Sequence, residues 1–125
     1  MNAGTVPGLA DKLYIQIFAD RMVVRSATSG RSVELPADPP YSHPRTLVGD
    51  FTNAQAIVKR AVKELQKGRL VLYTSAIVHP RERTEGGLTQ IEERCFRELA
   101  LGGGARKALV WTGHDLADPE IIAKV

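Results

Sequence analysis

The chain has 125 residues, with 17 Lys and Arg against 14 Asp and Glu, a net charge of +3. That length suits one domain with its own core, and the single cysteine, Cys95, excludes an intrachain disulfide and fits a reducing compartment. The charge is too evenly balanced for a dedicated basic nucleic-acid arm, and no apolar run reaches the roughly 20 residues of a membrane-spanning helix.

Residues 1–12 read as a flexible leader broken by Gly4, Pro7 and Gly8, and residues 13–125 as one domain. Met1–Leu9 lacks the basic-then-apolar pattern of a secretory signal, so the expected address is the cytoplasm. Leu13–Phe18, Met22–Arg25 and Ser32–Leu35 are short β-branched and aromatic runs joined by tight turns, which predicts an antiparallel meander. Pro36 to Pro44 holds four prolines and is expected to be a surface connection, with a Pro-rich ligand as the sharper alternative.

Thr52–Lys67 follows as a helix. Ala54, Ile57, Val58, Ala61, Val62 and Leu65 form one apolar stripe, with Thr52 and Gln55 as a capping box and Gly68 as the stop. Lys59, Arg60, Lys63 and Lys67 line its opposite face. Leu70–Val78 predicts a buried strand, and Pro80–Gly87 a charged loop. A second helix opens on Thr89 and Glu92, with Leu88, Ile91, Cys95 and Leu99 as its buried stripe, Phe96 widening it, and Glu93–Arg97 and Arg94–Glu98 pairs outside. Gly102–Gly104 ends it, Lys107–Trp111 is the fifth strand, and a short helix follows Pro119. The order β-β-β-α-β-α-β predicts an α/β fold, a mixed five-stranded sheet of the ribonuclease-H-like, actin-subdomain kind.

Three constellations carry candidate chemistry. His79 and His114 follow neighbouring parallel strands, and with Arg81, Thr112 and Asp115 they outline a polar pocket for an anion or a metal at the strand ends. No His-x-x-x-His metal spacing occurs, and His43 stands apart in the proline-rich loop. Tyr14, Phe18 and Trp111 would form an apolar interaction patch if one sheet face lies open. Arg81, Arg83, Arg94 and Arg97 are interrupted by Glu82, Glu85, Glu92 and Glu93, which argues against a nucleic-acid patch. Cys95 reads as a core thiol, and Gly102–Gly104 as a helix stop, because a phosphate cradle would have to precede a helix.

The segment Gly87-Leu-Thr-Gln-Ile-Glu92, its helix, Gly104-Ala-Arg106 and the strand to Trp111 resembles part of the bacterial actin-like rod-shape proteins, the MreB family. Those proteins carry Gly-Ile-Thr-x-x-Glu, a helix, Gly-Ala-Arg and a strand. Val48-Gly-Asp-Phe51 and Ile77-Val-His-Pro80 fit the same subdomain, and Leu13 to Trp111 can be laid on its first subdomain. The resemblance implies an actin-like fold and an ancestral phosphate loop of the form Asp-Leu-Gly-Thr, in which the Asp orders magnesium's water, the Gly admits the phosphates and the hydroxyl donates to them. Here Gln16, Phe18 and Ala19 stand at those positions. Thr112-Gly-His114 stands where the family has Glu-Glu-Pro.

The expectation is a degenerate, non-catalytic actin-like domain with neither metal nor cofactor, no use of ATP, and no nuclease carboxylates on the first strand. It would act by binding another protein or itself, in a role linked to cell shape or the cytoskeleton. Two alternatives remain open: a small-ligand or metal-binding enzyme using His79, His114 and Asp115, and a weak nucleic-acid binder using the Lys59–Lys67 helix face.

Overall fold

A computed structural model describes residues 9–125; Met1–Gly8, most of the expected leader, lie outside the described residues. Five strands, β1 (Ala10–Phe18), β2 (Arg21–Ser26), β3 (Ser32–Pro36), β4 (Tyr73–Pro80) and β5 (Lys107–Val110), form one sheet in the order β3-β2-β1-β4-β5. The first three strands pair antiparallel, whereas β1–β4 and β4–β5 are parallel, so the sheet is mixed. Helices α1 (Phe51–Gln66), α2 (Gln90–Gly102) and α3 (Asp118–Lys124) complete the chain.

Strand alternation divides the core in two. Leu13, Ile15 and Ile17 of β1 meet Met22 and Val24 of β2, Ala76 and Val78 of β4, and the inner faces of α1 and α2. Tyr14 and Ile77 point to the opposite face, where Leu116, just before α3, and Ile121 within it cover them. β1 is therefore buried on both faces, as the middle strand of a two-sided sheet must be.

Several boundaries differ from the sequence reading for physical reasons. β1 begins at Ala10, inside the expected leader, because Leu9 O accepts hydrogen bonds from Leu72 and Tyr73 N–H and Asp11 finds partners in the core. Asp11, fully buried, accepts from Ser26 Oγ at 2.5 Å and Gln66 Nε2 at 3.1 Å, with Arg69 at 3.3 Å. Helix α1 is capped by Asp50, whose carboxylate accepts from Asn53 N–H, and not by Thr52. Leu70 and Leu72 are exposed in the turn before β4, so the buried strand starts later and runs on to Pro80. In α2 the Thr89–Glu92 capping box forms as expected, but Ile91 is 82% exposed. The buried stripe is Phe96, Leu99 and Ala100, with Cys95 at its margin, so the helix is rotated away from the expected face.

The proline-rich connection is fixed to the β1–β2 turn. Tyr41 is buried and its hydroxyl lies against the carbonyls of Phe18 and Arg21. Asp20, at φ 59°, accepts from both the N–H and the hydroxyl of Ser42 at 2.7 Å, which holds its carboxyl below the usual range.

Candidate functional site

The β1–β4 register sets Gln16 beside His79 and Tyr14 beside Ile77, so side chains from both strands converge at one end of the sheet. Parallel β5 brings the Trp111–Asp115 connection to that same end. His79 is 2% exposed, and its Nδ1 lies 2.5 Å from the Tyr14 hydroxyl. That hydroxyl also accepts from Leu116 N–H at 3.3 Å, so it joins the His79 ring to the chain that follows β5. Burial, with the Arg81 guanidinium nearby, pushes His79 down to about 4, so the ring is neutral at physiological pH. Burial likewise raises the Tyr14 phenol.

Arg81 joins the cluster from just beyond β4. One guanidinium nitrogen donates to Gln16 Oε1 at 2.5 Å and the other meets Asp115 at 2.6 Å. His114 is exposed and lies 2.8 Å from Glu120, while Trp111 Nε1–H donates to the His114 carbonyl. Thr112 stays exposed in the turn. Of the expected pocket residues, an ion pair joins Arg81 to Asp115, whereas His79 is bonded to Tyr14 and His114 to Glu120. No group of three His, Cys, Asp or Glu side chains could hold a metal among the described residues.

The expected apolar patch does not form. Tyr14 is 3% exposed beneath α3. The Arg21 guanidinium covers the Phe18 ring at 3.9 Å, and Lys124 lies over Trp111 at 4.3 Å. Gln16, Phe18 and Ala19 lead into a hairpin tip whose groups are also engaged: Glu82 Oε2 accepts Ala19 N–H at 2.6 Å. Tyr41 and Ser42 hold the same tip from the proline-rich side. Sequence reasoning missed Glu82, Tyr41 and the pairing of Tyr14 with His79. Alternation placed Tyr14 and Gln16 on one face of the first strand, but only the register against β4 set His79 beside them.

Over 105 residues the chain is 31% identical to the uncharacterized protein YjaA of Escherichia coli (strain K12), covering 76% of this chain and 78% of that protein. The chain belongs to the YjaA family. No protein-family model matches it. Among solved structures, the ethanolamine utilization protein EutJ of Carboxydothermus hydrogenoformans superposes with a TM-score of 0.60 at 15% identity, over 80% of this chain and 36% of EutJ. The chain thus spans about a third of that actin-like protein, and the likeness gives this YjaA-family chain a coarse actin-like fold.

Proposed function

We propose that this chain is a non-catalytic actin-like domain, related to the first MreB subdomain and of ribonuclease-H-like order, that works by binding another protein. The observation that carries the reading is the state of the hairpin tip at the ancestral phosphate-loop position. A phosphate loop needs free backbone N–H groups and a close approach to the chain. Here the Ala19 N–H is bonded to the Glu82 carboxylate, which sets a negative charge where a phosphate would be received. Phe18 adds a side chain under Arg21, and Gln16 is bonded to Arg81. The alternative enzyme based on His79, His114 and Asp115 lacks the same freedom, since each of the three already has an internal partner. A role tied to cell shape or the cytoskeleton belongs to this proposal through the MreB resemblance.

An amide-resolved NMR titration with magnesium-ATP tests the reading. Resonances of Ile15–Arg21 and Trp111–Asp115 are expected to stay in place. Saturable shifts confined to those segments would restore a nucleotide site and overturn it.

A further inference from the structure

The β3 edge and α1 frame a groove of about 950 Å³ away from the polar cluster. Its floor is apolar, from Val33, Leu35 and Val71. Its wall carries Arg60, Lys63 and Glu64 of α1, spaced i, i+3 and i+4, and Lys67, the residue that caps the helix. Arg31, which donates to the carbonyls of Leu65 and Lys67, holds the end of this helix against the β2–β3 turn. Among the described residues Arg69 is paired with Asp11 and Glu34 with Arg21, whereas Arg60, Lys63, Glu64 and Lys67 have no ion pair. Three unpaired cations therefore face one unpaired carboxylate.

The other wall is a strand edge. Ser26 N–H donates to Arg31 O and Ala37 N–H donates to Asp20 O, and β2–β3 pairing runs between them. Antiparallel alternation then directs the odd-numbered residues of β3 toward β2 and leaves the backbone groups of Ser32 and Glu34 facing outward. We propose that this groove takes an extended acidic peptide of a partner protein, which adds as a sixth strand along β3 with its carboxylates on the basic stripe of α1. This rests on the protein-binding reading above and names its surface and partner chemistry. A second copy of the chain fits less well: self-pairing centred on Glu34 would oppose two glutamates and bring two basic helix faces together. Nucleic acid would leave the strand edge unused. Pro36 ends the edge after one short strand, which suits a single peptide and blunts open-ended association.

The probe is a ten-residue peptide of alternating glutamate and valine, titrated into the full chain by amide-resolved NMR. Saturable shifts at Ser32–Leu35 and Arg60–Lys67, with slowed hydrogen exchange at Ser32 and Glu34, are expected. The double variant Lys63→Glu, Lys67→Glu, verified as folded by its spectrum, should bind at least about tenfold more weakly. A fully N-methylated peptide, which retains charge but lacks N–H donors, should fail to bind. No saturable shift, equal binding of the N-methylated peptide, or tighter binding of a twelve-residue oligothymidylate at the same residues would overturn the assignment. A silent groove beside a cleft silent to magnesium-ATP removes this surface alone, whereas ATP shifts in the cleft remove the underlying reading.

Discussion

At the scale of single residues, His79 and Asp11 show how burial and partnership set chemistry. His79 is held neutral, at about 4 against 6.5 for the free side chain, chiefly because its ring is buried. Between those values the unfolded chain binds a proton that the folded chain refuses. The stabilisation is therefore complete above about pH 6.5 and falls away as pH drops toward 4, by on the order of 3 kcal/mol. Chemical denaturation from pH 4 to 8 should show this slope in the natural chain, and His79→Gln should flatten it; parallel curves would refute the assignment. Asp11 answers to different forces, since it accepts from Ser26 and Gln66 and faces Arg69 with no exposure. Removing one partner of a buried ion pair strands the other, so Asp11→Ala should cost about 3–5 kcal/mol in urea unfolding. The polar cluster was legible in part because residues following parallel strands collect at one sheet end. Asp11 was not, because a lone carboxylate near a chain terminus reads as solvated until its partners, 15 and 55 positions away, are in place.

Among the elements, the α1–α2 contact turns on two adjacent glycines with opposite tolerance. A Cβ on Gly103 would stand 2.4 Å from Val58 Cγ1 and 2.9 Å from the Leu99 carbonyl, both fixed by the core. A Cβ on Gly102 would meet the amide end of the Gln55 side chain, which can swing aside. Gly103→Ala should therefore lose about 1–3 kcal/mol, and Gly102→Ala much less, by thermal unfolding. The capping box at Thr89 satisfies two backbone N–H groups reciprocally, and Thr89→Ala should cost about 1 kcal/mol. Local chemistry made this cap readable, because both partners lie within one turn. The face of the same helix was not readable: Ile91 and Phe96 offer competing stripes, and docking on α1 through Leu99 and Ala100 chose the one containing Phe96.

In the whole molecule, the sheet is covered unequally, by α1 and α2 on one face and by short α3 on the other. Arg25 clamps α3 through two bonds to Asp118, at 2.8 and 2.7 Å, and Ile121 is its fully buried anchor above Tyr14 and Ile77. Ile121→Ala should cost about 2–5 kcal/mol and perturb the Tyr14 resonances, because Ile121 packs in the same buried cluster as that ring. Resonances that stay in place after that substitution would separate α3 from the polar cluster. Local sequence pattern was enough for the mixed α/β sheet and most element positions. Those depend on period, turn chemistry and residue type, which act over a few neighbouring residues. Only the tertiary structure decided that Tyr14 is buried against His79, that Glu82 occupies the Ala19 amide and that the β3 edge faces the basic stripe of α1. Each of these joins groups far apart in the chain, and strand register and helix docking, which depend on the whole core, bring them within bonding distance.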